Sequence, residues 1–180
     1  MNQPFDRIFM KPLKTSSLVL LFIGGLQAVC AQSDDDIFTI YLVRHAEKQS
    51  ETSDPALTSC GAERAKSLCA FFGDVPLEAI FSTDFNRTKN TAKPTASSKG
   101  LEIQEYNPLH LEEFKEHLLE NKQDVLVVGH SNTTGVLGGL LVGEEIGEFD
   151  LSIYNRIYQV VVAGNKGRLH VLHTSFTCKD

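Results

Sequence analysis

Between Ile37 and Val43 the chain runs Ile-Phe-Thr-Ile-Tyr-Leu-Val, a continuous stretch of β-branched and aromatic residues. Such a run marks a strand buried on both faces, and Asp124–Val128 (Asp-Val-Leu-Val-Val) carries the same mark. Shorter strands are expected at Glu78–Phe81 and Glu102–Tyr106, and a closing hairpin from Tyr158–Ala163 and Leu169–His173 around Gly164–Gly167. Helical spacing separates them. Ala62, Ala65, Leu68, Cys69 and Phe72 predict a helix over Thr58–Phe72 with Thr58 as N-cap. Arg87–Ser98 reads as a helix that Pro94 should kink or end, Leu111–Glu120 as an amphipathic one and Thr133–Leu141 as a Gly-rich one. Strands alternating with helices predict an α/β fold: a three-layer αβα sandwich with a mostly parallel central sheet, in a single domain.

The N-terminus follows a different pattern. Arg7, Lys11 and Lys14 precede a largely apolar stretch of twelve residues, Leu18–Val29, and Val29-Cys30-Ala31 offers small side chains for cleavage. Twelve residues fit the apolar core of a secretory signal and fall short of the ~20 that a membrane-spanning helix needs. We therefore expect residues 1–31 to be a cleaved signal peptide and residues 32–180 the functional domain, secreted or periplasmic and without membrane contact in its mature form.

With 17 Lys+Arg against 23 Asp+Glu the net charge is −6. An acidic body argues against nucleic-acid binding, so any anion site must be a small pocket. Cysteine narrows little. Cys60 and Cys69 sit about 13–14 Å apart along one helix and cannot pair with each other. One of them could meet Cys178, and both read as core thiols.

The candidate chemistry lies where the two buried strands end. The first delivers Arg44-His45-Ala46-Glu47-Lys48 and the second Gly129-His130-Ser131-Asn132. Ligands of open α/β sheets bind outside the carboxyl ends of the strands. If the two strands are neighbours, His45 and His130 face one crevice, with Arg44 and Arg87 as the cations that join them. Two guanidinium forks can clamp a phosphoryl group, and a neutral imidazole can attack it to form a phosphohistidine. This scheme calls for no metal and no cofactor. A metal site through His45, Glu47 and His130 would lack the helical His-Glu-x-x-His arrangement.

Four segments resemble the histidine phosphatase superfamily (phosphoglycerate-mutase-like): Arg44-His45-Ala46-Glu47-Lys48, Phe81–Ala92 around Arg87, Val128–Thr133 around His130, and Leu57-Thr58-x-x-Gly61-x-x-Arg64-Ala65. The resemblance spans about residues 37–175 and is to the small phosphatase branch. It implies that His45 is the catalytic, phosphorylated nucleophile and that Arg44, Arg87 and His130 bind phosphate. The partner implied is a small phosphorylated substrate or a phosphoprotein. Many members supply an acid before the helix at Leu111, where this chain has Asn107, His110, Glu112 and Glu113; Glu112 is the candidate. Arg64 is expected to brace the fold, and Ser131 and Asn132 to cap the following helix. Specificity is expected in the Gln49–Ala56 loop and the Asn107–Glu113 region.

Two rival readings use the same residues. Gly129-His130-Ser131-Asn132-Thr133 nearly forms a nucleophile elbow, with Asp150 and His173 downstream in the order of a serine esterase, although Thr133 replaces the second Gly. The other rival is a non-catalytic member of the fold that binds phospho-ligands without turning them over.

Overall fold

A computed structural model describes residues 37–50, 52–147 and 150–178; the expected signal segment, residues 1–31, lies outside them. The described chain runs β1 (Ile37–Arg44), α1 (Ser59–Phe71), β2 (Ala79–Ser82), α2 (Asn86–Lys99), β3 (Ile103–Glu105), α3 (Leu111–Asn121), β4 (Val125–Gly129), α4 (Thr134–Val142), β5 (Arg156–Ala163) and β6 (Lys166–His173). The six strands form one sheet in the order β3-β2-β4-β1-β5-β6. The β3-β2-β4-β1 pairings are parallel, while β5 and β6 add antiparallel to the β1 edge as a hairpin. No described helix is long and apolar enough to cross a membrane.

Side-chain alternation explains why the central strands read as unbroken apolar runs. Phe38, Ile40 and Leu42 of β1, with Val125 and Val127 of β4, pack on one face against Phe114 and Leu118 of α3 and Leu137 and Leu141 of α4. Tyr41, Val43, Leu126 and Val128 point to the other face and meet Leu68 of α1 and Ala92 and Ala96 of α2. Each strand is thus buried on both sides, which gives the three layers their two cores.

Two local expectations are corrected. Pro94 lies inside α2, which continues to Lys99. Thr91, Ala92, Thr95 and Ala96 are buried on either side of it, so packing holds both turns where the missing N–H would otherwise break the helix. The cap of α4 is Thr133 rather than Ser131 or Asn132, and its hydroxyl accepts from the backbone N–H of His130.

Cys60 is also corrected. It forms a disulfide with Cys178, with Cα atoms 5.6 Å apart, and ties the end of the described chain to the first turn of α1. Cys69 is the free cysteine among the described residues, and its thiol donates to the Pro94 carbonyl across the α1–α2 contact.

Candidate active site

In the parallel register Arg44 of β1 stands beside Gly129 of β4. The next residue of each strand, His45 and His130, therefore leaves the sheet at the same edge. A hydrogen bond from the His45 backbone N–H to the Gly129 carbonyl, 2.9 Å, holds the two strand ends together. Their rings lie 5.6 Å apart between centroids, inclined at 67°.

His45 is buried, and its Nδ1 sits 2.7 Å from the Ala46 carbonyl oxygen. A carbonyl can only accept, so Nδ1 carries the proton and Nε2 keeps its lone pair. Burial, opposed by that hydrogen bond and reinforced by the charges of Arg44 and Arg87 and the neighbouring His130, pushes its pKa down to about 3. The ring is neutral throughout the physiological range.

A chain of hydroxyls orients His130. Its Nε2 lies 3.1 Å from Thr83 Oγ1, which lies 2.9 Å from Thr88 Oγ1. The Thr88 hydroxyl faces the carbonyls of Thr83 and Phe85, both at 2.9 Å, and so spends its proton on a carbonyl. Thr83 must then donate to Thr88, and its oxygen accepts from the N–H at His130 Nε2. That leaves His130 Nδ1 for a ligand. Burial first, then Arg87 and Arg44, lower the His130 pKa to about 4.

The two arginines flank the histidines. Arg44 Nη1 donates to the carbonyls of Leu151 (2.6 Å) and Ile153 (3.1 Å), Nη2 donates to the Tyr154 hydroxyl (3.3 Å), and the guanidinium stacks 4.0 Å from the Tyr154 ring centroid. The open fork expected from sequence is thus partly committed to the loop before β5, and Nε is the buried Arg44 nitrogen left without a partner. Arg87, in the first turn of α2, lies over the Phe85 ring at 4.1 Å, with Nη1 3.7 Å from an Asp54 carboxylate oxygen. In both arginines Nε is buried and has no hydrogen-bond partner in the structure. Burial lowers the pKa of each. A buried guanidinium N–H without an acceptor costs free energy unless a ligand satisfies it.

Arg44, His45, Arg87, His130 and Ser131 all line one open cleft of about 340 Å³, together with Lys48, Phe85, Pro108, Leu109 and Leu151. The loop after His45 is anchored from behind. Thr58 accepts from the Gly61 N–H at 3.0 Å, and Arg64 grips the Glu47 carboxylate through Nε and Nη2 at 2.6–2.9 Å. A Cβ at position 61 would come within 2.1 Å of the Glu47 carbonyl oxygen, so only glycine permits this approach. The Thr58-x-x-Gly61-x-x-Arg64 spacing is therefore the mould for the loop that follows His45, and Glu47 serves as its grip.

Several expectations fail here. Glu112 lies outside the cleft. The turn of α3 that sends Phe114 and Leu118 inward turns Glu112 out to Lys115 Nζ, 3.2 Å away, where it lines a groove with α4. The serine-esterase arrangement is also absent. Ser131 lines the cleft, but His173 lines a separate one with Ser67, Phe71, Thr174 and Ser175, and Asp150 accepts from Ser152. Nor can Glu47 join a metal with the two histidines while Arg64 holds its carboxylate. Glu47, Cys60 and Cys178 place potential ligand atoms within 4.8 Å of one another, but the disulfide removes the thiolates a metal would need.

Sequence reading missed the Leu151–Tyr154 segment that holds Arg44. It belongs to the 13-residue connection between α4 and β5, residues 143–155, and a connection of that length without its own periodicity was the available signal.

Residues 40–115 match the family model of the histidine phosphatase superfamily (branch 1). No curated protein sequence matches the chain. Among solved structures, the alpha-ribazole phosphatase of Shigella flexneri shares the fold with a TM-score of 0.65 and 18% identity, over 79% of this chain and 100% of that one. A mycobacterial glucosyl-3-phosphoglycerate phosphatase aligns with a TM-score of 0.65 and 14% identity, over 77% and 100%. The protein histidine phosphatase SixA, solved with tungstate, aligns with a TM-score of 0.64 and 16% identity, over 76% and 97%. With the family model matching from within β1 into α3, and the same fold recurring along almost the whole length of each of these proteins, the chain has the histidine phosphatase fold.

Proposed function

We propose that this protein is a phosphatase that hydrolyses phosphomonoesters through a phosphohistidine on His45, without a metal. The observation that carries the reading is the pair of buried, unpartnered Nε–H groups of Arg44 and Arg87, in a cleft shared with a neutral imidazole whose Nε2 lone pair is free. A phosphoryl dianion satisfies both donors and neutralises the guanidinium charge that adds to burial in holding the histidines unprotonated. Nε2 attacks phosphorus, the P–O bond to the leaving group breaks and its electron pair departs with that oxygen. Water then attacks the phosphoimidazole, the P–N bond breaks and His45 is regenerated with inorganic phosphate.

The arginines hold the substrate and meet the charge spread over the equatorial oxygens in the transition state. His130, hydrogen-bonded to Thr83, offers Nδ1 to the same oxygens and takes up a proton when a dianion raises its pKa. The relatives support the substrate class, since two bear the names of phosphatases of small phosphorylated metabolites and one that of a protein histidine phosphatase bound to a tetrahedral oxyanion. The test is a millisecond quench with a ³²P-labelled phosphomonoester. We expect an acid-labile, base-stable label on His45; turnover with no label on His45 would reject the mechanism, and tight phosphate binding without product release would support the binding-only alternative.

A further inference from the structure

The described structure exposes five large hydrophobic side chains, and two of them stand on the rim of the phosphate cleft: Leu109 is 86% exposed and Leu151 69%. They come from different connections, Leu109 between β3 and α3 and Leu151 between α4 and β5. Leaving leucines in water on a functional rim is unfavourable unless a ligand covers them. Behind Leu109 the surface dips again into a second, mostly apolar groove of about 540 Å³, and Phe85, Pro108 and Leu109 form the ridge common to both depressions. The groove is flanked by Asp84 and Glu105, two carboxylates that share one ammonium, Lys89. Anionic groups are therefore disfavoured on this side of the ridge.

Resting on the phosphatase reading above, we propose that the leaving-group subsite is this apolar ridge and that the substrates are aryl phosphomonoesters, with an uncharged aromatic ring against Leu109, Pro108 and Phe85. An aromatic ring attached through the ester oxygen presents a broad apolar face close to the phosphoryl group. A glycerate or sugar would place hydroxyls or a carboxylate against leucine side chains and beside Asp84 and Glu105. The reaction chemistry agrees. An aryl oxide, with a conjugate acid near pKa 10, leaves with less help from a proton donor than an alkoxide does. Among the described residues that line the cleft there is no carboxylic acid to give that help.

Affinities measured on the His45→Ala protein by calorimetry test this with ligands left intact. The probes are 2-naphthyl phosphate, glycerol 2-phosphate and inorganic phosphate. Because the two esters share the phosphoryl group, the ratio of their Kd values isolates the leaving-group contacts. We expect 2-naphthyl phosphate to bind about tenfold more tightly than glycerol 2-phosphate, the advantage to fall to about threefold in Leu109→Ser, and Leu109→Phe to restore it. Leu109 is exposed, so neither variant threatens folding. Equal Kd values for the two esters, or an advantage unchanged in Leu109→Ser, would overturn the aryl assignment while phosphate binding persists. Failure of inorganic phosphate to bind would overturn the phosphate cleft itself, and this inference with it.

Discussion

His45 and His130 approach to 5.6 Å between ring centroids because Arg44 and Gly129 are paired in the parallel register of β1 and β4. Each ring is fixed from the side away from the ligand, one by the Ala46 carbonyl and the other by the Thr83 hydroxyl. Two neutral imidazoles between two guanidinium groups form a site that is cationic without any protonated histidine. In the mechanism proposed above, that separation of tasks leaves one ring as nucleophile while the arginines carry the charge.

Substituting His45 is expected to abolish phosphatase turnover, because it removes the nucleophile of the mechanism proposed above. His45→Ala should lower kcat at least ~10³-fold, whereas Ser131→Ala should leave most of it. Steady-state hydrolysis of p-nitrophenyl phosphate measures both. Loss of activity in Ser131→Ala with retention in His45→Ala would reverse the assignment.

Arg87 and Asp54 should separate binding from positioning. Arg87→Ala removes a buried donor and is expected to reduce kcat/KM by about 10²–10³-fold. Asp54 accepts from the backbone and side-chain N–H groups of Asn86 at 2.9 and 2.8 Å as well as facing Arg87. It thereby fixes the start of α2 from the Gln49–Ala56 loop. Asp54→Asn keeps the size and one acceptor, and its expected effect is a several-fold rise in KM with kcat nearly retained. A fall in kcat equal to that of Arg87→Ala would instead place Asp54 in the chemical step.

Acid should weaken this fold through its two active-site histidines. Their pKa values, about 3 for His45 and about 4 for His130, lie below the unfolded value near 6.5. Between those limits the unfolded chain binds more protons, so stability rises with pH up to about 6.5 and declines as pH falls toward 4. Urea titrations between pH 4 and 8 measure the slope. His130→Asn should flatten it, and saturating inorganic phosphate, which favours the protonated ring, should flatten it too. A slope unchanged by either would show that these imidazoles are not held neutral.

The Cys60–Cys178 disulfide closes a separation of 118 residues and carries the tail that places the Phe176 carbonyl 3.1 Å from Arg64 Nη1. Closing so long a loop restricts the unfolded chain, an effect of about 2–4 kcal/mol. Reduction or Cys60→Ser/Cys178→Ser should lower Tm by on the order of 10 °C, whereas Cys69→Ser should change it far less. Thermal melts with and without reductant compare them; an unchanged Tm on reduction would mean that the bridge contributes little.

Periodicity alone located the strands and helices of the described chain to within a residue or two, except that β6 begins at Lys166, three residues before the expected Leu169, because buried central strands and amphipathic helices write their environment into every second or every third and fourth position. That His45, His130, Arg44 and Arg87 reach one cleft was legible for a related reason: each stands at a strand end or helix start, where chain direction determines the edge of the sheet it reaches. Glu112 misled because helix periodicity tells which residues face the core, not which exposed residue faces a neighbouring loop. Contacts far apart in sequence belonged to tertiary structure alone. The register beside Gly129, the loop carbonyls that hold Arg44, the choice of Cys60 over Cys69 for Cys178, and the meeting of Leu109 with Leu151 all depend on where separate segments come to rest. Such contacts leave no local pattern, since each partner satisfies its own helix, strand or turn equally well without the other.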